Sequence, residues 1–178
     1  MDTEFTGLHQ QTTLISIGLV TDQQESFYAE FTDYDPEQVG DWIQANVIEQ
    51  LQFQEKPNNY FEKIADKHWR VKGNTAWIKT YLIDFLSAFE AVEIWADNLA
   101  YDWVLFCQLF GHGLNIPKQV HYIPFDLSTL FKVKGIDPDI KREDFVAEEL
   151  SLEDVANKHN ALWDATIIRL CFYKANKL

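Results

Sequence analysis

Two apolar runs near the amino terminus constrain what this chain can become. Thr12–Val20 is dense in β-branched residues, which suit the pleated, half-buried surface of a strand. The polar tetrad Thr21-Asp22-Gln23-Gln24 follows, and Glu25–Phe31 then alternates, setting Phe27, Ala29 and Phe31 on one face. So short a turn reverses the chain, and the two runs pair antiparallel. Met1-Asp2-Thr3-Glu4-Phe5, which precedes a turn at Gly7, adds a first strand and completes an antiparallel meander. Only Met1 precedes Asp2, which predicts that few ladder hydrogen bonds hold Asp2 in place.

Beyond the meander the spacing changes. Asp35-Pro36-Glu37 has the form of a capped helix start, and a helix to about Leu51 would place Val39, Trp42, Ile43, Val47 and Leu51 on one side. Residues 52–73 are polar and interrupted by Pro57-Asn58-Asn59, and read as a long surface insertion. Asn74 or Thr75 caps a second helix with Trp77, Ile78, Tyr81, Leu82, Phe85 and Leu86 at helical spacing. Val92–Ala96 is a short strand, and a helix from about Tyr101 to Phe110 stops at Gly111. A strand over Val120–Ile123, an element opening at Phe125-Asp126 and a loop over 135–146 come next. Ser151-Leu152-Glu153-Asp154 resembles a capping box, and the last helix covers about Ala161–Tyr173. A meander followed by strand, helix and strand gives an α/β fold, a mixed sheet flanked by helices, in one domain over residues 1–178.

The charge balance sharpens the question of function. A net charge of −13 argues against the basic footprint of a nucleic-acid binder. The exception is a site that holds divalent cations on carboxylates: it is acidic by construction, and the cations then attract phosphate. No apolar run approaches a membrane span, and no basic-then-apolar leader opens the chain. Cys107 and Cys171 are far apart in apolar helical patterns and read as free thiols of a cytoplasmic protein.

Carboxylates occur where such a site would need them. Asp2 and Glu4, two apart on a strand, project side by side, and their repulsion calls for a cation such as Mg²⁺ or Mn²⁺. Asp102 falls in the first turn of a helix, where the helix dipole favours it. Asp164 sits inside an otherwise apolar helix, a costly position for a buried carboxylate without a partner. His159 lies five residues earlier, near the start of that helix.

In order and spacing these segments resemble the three motifs of the DEDDh 3′→5′ exonucleases. Asp2-Thr3-Glu4-Phe5-Thr6-Gly7-Leu8 looks like the first, Asn98-Leu99-Ala100-Tyr101-Asp102-Trp103-Val104-Leu105-Phe106 is similar to the second, and His159-Asn160-Ala161-Leu162-Trp163-Asp164-Ala165 to the third. The Asp-Thr-Glu-Phe opening and the short chain look most like small bacterial ribonuclease-T-like exoribonucleases. The resemblance implies a ribonuclease-H-like fold and a two-metal hydrolysis of single-stranded RNA, or of 3′ overhangs, to 5′-mononucleotides. Asp2, Glu4, Asp102 and Asp164 would hold two Mg²⁺ or Mn²⁺ ions, with His159 as general base. Thr3, Phe5, Thr6, Gly7, Leu8 and Asn98 would contact the terminal nucleotides, and a homodimer would be in keeping with such relatives. Phe5, Trp103 and Trp163 are candidates for stacking on bases, and Lys132, Lys134, Lys141 and Arg142 for a path along the backbone. Two other readings fit the same pattern: a DNA-directed exonuclease of this fold, and an inactive ribonuclease-H-like interaction module.

Overall fold

The computed structural model describes residues 1–150 and 159–178. The amino-terminal meander forms as its pattern requires: β1 (Asp2–Phe5), β2 (Leu14–Val20) and β3 (Ser26–Phe31) pair antiparallel in sequence. β3 is buried along its whole length, because both faces of the sheet are covered.

The stretch read as an insertion supplies the rest of this sheet. β4 (Tyr60–Ile64) and β5 (His68–Gly73) form a hairpin, and β5 runs parallel to β3, giving the order β1-β2-β3-β5-β4. The polar composition of 60–72 is that of an edge hairpin, with β4 almost wholly exposed. The first expected helix is also different. Asp35 caps a 3-10 turn at Pro36–Gln38 through the amide of Glu37, but the chain then extends at Val39 and Gly40. It next forms the short helix α1 (Asp41–Asn46) and a second 3-10 turn, Ile48–Gln50, and of the expected apolar side only Val47 is buried.

Asn74 caps α2 (Thr75–Leu86) by accepting from the amide of Trp77. β6 (Trp95–Ala96) precedes α3 (Ala100–Leu109), and it pairs parallel with β7 (Phe125–Asp126). The expected strand over Val120–Ile123 contributes a single bridge, Val120 to Val92. α4 (Leu127–Val133) follows directly, α5 (Arg142–Phe145) interrupts the expected loop, and α6 (Ala161–Ala175) closes the chain. The expected helix start at Ser151-Leu152-Glu153-Asp154 lies outside the described residues.

The Met1 amino group donates to the carbonyl of Trp95 at 2.7 Å, which sets the β6–β7 pair beside β1. The main core lies on one face of the larger sheet, where Ile17, Leu19, Phe27, Ala29, Phe31 and Val71 meet Ile78, Leu82 and Phe85 of α2 and Leu105 and Phe106 of α3. α6 covers the opposite face, where Ala161 and Leu162 pack with Tyr28 and Phe53. This mixed sheet flanked by helices is the α/β, ribonuclease-H-like arrangement expected from the sequence. Among the described residues no helix is long and apolar enough to cross a membrane.

Candidate active site

Register decides which side chains of β1 share a face. Asp2 lies opposite Gly18 and Glu4 opposite Ser16, whereas Thr3 lies opposite Ile17 on the core face. Asp2 and Glu4 therefore project toward the side that α6 covers. Asp164, in the first turn of α6, meets them there, and one carboxylate oxygen from each of the three lies within 4.8 Å of the others.

Gly18 makes this meeting possible. A Cβ built on Gly18 would lie 2.2 Å from the carbonyl oxygen of Ala161 and 2.6 Å from the amide nitrogen of Leu162. The start of α6 rests on the bare backbone of β2 directly across from Asp2, at a distance only glycine permits. The middle of α6 is also tied down, since Arg169 donates to the carbonyls of Thr21 and Asp22.

Asp102 takes a different position from the trio. It is 6% exposed, and its Oδ1 accepts both the Thr3 amide at 2.8 Å and the Thr3 hydroxyl at 2.7 Å. Thr3, expected to touch substrate, is itself 5% exposed and has its hydroxyl committed to Asp102. The expectation that β1 is loosely held also changes: β1 pairs with β2 over Asp2–Phe5 and is bonded on its other edge by Met1 to Trp95 and by Thr3 to Asp102.

Burial and mutual repulsion both act on the carboxyls of this cluster. Burial raises the Asp2 carboxyl well above the ordinary range, and the charges of Asp102, Asp164 and Glu4 add to it. Burial pushes Glu4 up to about 8, with Asp164 and Asp102 contributing. Asp102 is raised by burial against the opposing bonds from Thr3. Groups gathered so closely hold protons or a cation in order to coexist. Three carboxylates with converging oxygens are the hard donor set that Mg²⁺ or Mn²⁺ accepts.

His159 precedes the Asn160 cap of α6 with a left-handed backbone, φ 65°. Its ring meets the edge of Trp42 at 5.1 Å between centroids. Trp42, expected on the buried side of a helix, is 59% exposed. The break at Gly40 turned α1, and no feature of the apolar spacing signals it.

The other predicted contacts separate. Phe5 is stacked on Tyr101 at 5.4 Å. Thr6 is buried in a hydroxyl network with Thr12, Thr13 and Gln38, and the amide of Gly7 donates to Thr12. Leu8 is 78% exposed at the turn, and Asn98 is exposed with φ 55° between β6 and α3. Trp163 packs in the core beside α4, and Trp103 stacks on Phe106. Arg142 is bound by Asp97 at 2.8 Å and by Ser128 at 2.7 Å, which makes it a clamp between loops. The buried polar chain Glu30–Tyr28–Asn160 is absent from the sequence-based expectations. A charged residue in the alternating β3 run is its only signal in the sequence.

Known proteins resemble this chain. Residues 1–173 match the 3'-5' exoribonuclease Rv2179c-like domain. The chain is 32% identical over 136 residues to the 3'-5' exoribonuclease Rv2179c of Mycobacterium tuberculosis strain H37Rv, covering 75% of this chain and 73% of that protein. The same figures hold for the 3'-5' exoribonuclease MT2234.1 of M. tuberculosis strain CDC 1551. The chain belongs to the Rv2179c-like 3'-5' exoribonuclease domain family.

Proposed function

We propose that the protein is a metal-dependent 3′→5′ exoribonuclease of the DEDDh type, which shortens single-stranded RNA from its 3′ end to 5′-mononucleotides. The observation that carries this reading is the convergence of Asp2, Glu4 and Asp164 within 4.8 Å. The names of the matched family and relatives support RNA as the substrate. Asp2, Glu4 and Asp164 would hold one divalent cation, and Asp2 with Asp102 a second. When bound, such cations polarise the scissile phosphate and make water more acidic. Bound cations would also offset the acidic cluster and draw phosphate to it.

His159 is the residue suited to take the proton from the attacking water, since imidazole changes charge near neutral pH. Thr3 orients Asp102 through its amide and hydroxyl. Phe5 packs against Tyr101, and the exposed Trp42, whose ring meets that of His159, would offer an aromatic face to a base. Trp42→Ala is expected to raise KM for a single-stranded RNA about tenfold, the loss of one stacking contact of roughly 1–3 kcal/mol, with Trp42→Phe restoring most of it. Steady-state kinetics on a labelled oligonucleotide checks this.

The reading itself is tested with 5′-labelled single-stranded RNA and DNA of one sequence, in parallel, with Mg²⁺, Mn²⁺ or EDTA. A ladder shortening from the 3′ end is expected on RNA with metal, absent in Asp164→Ala and slowed about 10²–10⁴-fold in His159→Ala. The absence of metal-dependent cleavage of RNA would contradict it. Faster shortening of DNA would replace the substrate and keep the chemistry.

A further inference from the structure

We propose that Tyr28 is a positioning residue for His159, acting through Asn160. The inference rests on the reading of His159 as general base. Tyr28 stands on β3, on the face that α6 covers, and is completely buried. Its hydroxyl donates to Glu30 Oε1 at 2.8 Å and accepts from Asn160 Nδ2 at 3.1 Å. Glu30, 2% exposed, is fixed in turn by the amides of Gln52 and Phe53. Asn160 then uses its Oδ1 to cap α6, accepting from the amides of Leu162 and Trp163 at 3.2 and 3.3 Å.

A buried carboxylate, phenol and amide thus form a chain with its direction set at every link. The Glu30 oxygens accept the amides of Gln52 and Phe53 and the Tyr28 hydroxyl, which leaves the phenol oxygen to receive the Asn160 amide. That orientation turns the Asn160 carbonyl oxygen toward the helix amides. His159 is bonded covalently to this fixed residue and carries a left-handed backbone, a conformation uncommon outside glycine although less rare for histidine than for most residues. Buried polar chains of this kind specify one arrangement when every member is satisfied. The link spans 132 residues of sequence and ties the loop entering α6 to the middle of the sheet. The placement of Asp164 has a separate support in the Gly18 contact, so the two halves of the site are positioned by different devices.

A double-mutant cycle on the full chain separates positioning from general stabilisation. Tyr28→Phe keeps the ring and its packing against Phe53, and Asn160→Ser keeps a helix cap while losing the donor to Tyr28. Each is expected to lower kcat about tenfold with KM and Mn²⁺ affinity within about twofold of wild type, as a small misplacement of a reacting group does. In a His159→Ala background the same changes should cost less than about twofold, because the residue they position is gone. Losses that multiply in the double mutant, or an unchanged kcat per folded molecule in both variants, would overturn the proposal. Asn160→Ser carries the test if Tyr28→Phe does not fold. A wild-type chain that cleaves no RNA overturns the functional reading together with this one, whereas an active wild type with multiplying losses overturns this one alone.

Discussion

Gly18→Ala is expected to slow metal-dependent cleavage about 10²-fold and lower stability by about 3 kcal/mol or more. The added methyl would sit 2.2 Å from the Ala161 carbonyl oxygen and 2.4 Å from its carbon, both in backbone and neither able to rotate away. Relief requires α6 to lift from β2 by on the order of 1 Å, at the point where Asp164 faces Asp2 and Glu4. Displacement on that scale costs roughly 10²-fold in rate even where the protein folds. Thermal unfolding followed by circular dichroism reads the first effect, and cleavage at a temperature where the variant is folded reads the second. Wild-type melting together with wild-type activity would show that α6 does not rest on β2 here.

The second large effect separates stability from activity. Glu4→Gln is expected to stabilise the metal-free protein at pH 8 and to reduce cleavage by about 10³-fold or more. The Glu4 carboxyl is raised from 4.5 to about 8, so between those values the folded chain holds more of its proton than the unfolded chain does. Stability therefore falls as pH rises through this window, by up to about 1.4 kcal/mol per unit and about 5 kcal/mol in all. The contribution is complete below the unfolded value and lost above the folded one. Glutamine carries no such proton and removes this part of the slope. Urea unfolding in EDTA at pH 5, 6.5 and 8 should show the two proteins converging at acid pH and separating at alkaline pH, with the variant ahead. Mg²⁺ should favour wild type at pH 8 and leave Glu4→Gln nearly unchanged. Parallel pH profiles for the two proteins would mean that Glu4 is not the strained group.

Some of this was legible in the chain because the physics is local. The β2 and β3 runs announce themselves through β-branched residues and alternation, and the start of α2 through the side chain of Asn74. The carboxylates Asp2, Glu4 and Asp164 form a set through the resemblance to the three exonuclease motifs, and they converge. What escaped reading depends on contacts distant in sequence. The β4–β5 hairpin turns at Ala65 and Asp66, both with left-handed backbone and without the glycine that usually marks such a turn. Its strands are polar because β4 lies at the sheet edge, so hydropathy mistook sheet for insertion. The break at Gly40 changes the phase of the helix and leaves Trp42 exposed rather than on the buried side. The hydroxyl of Thr3 is committed to Asp102, a partner 99 residues away that local sequence does not indicate. Nothing in the local sequence distinguishes Gly18 from another strand glycine, because its constraint is the carbonyl of Ala161, distant in sequence.

The central claim is that β1 and α6 build a cation site from Asp2, Glu4 and Asp164. Diffraction from crystals soaked in Mn²⁺, recorded at the manganese absorption edge, tests it most directly. The account predicts an anomalous peak among these three carboxylates, with a second toward Asp102, and loss of the peak among the three in crystals of Asp164→Ala. Peaks confined to other surface carboxylates, with the trio empty at saturating Mn²⁺, would contradict it.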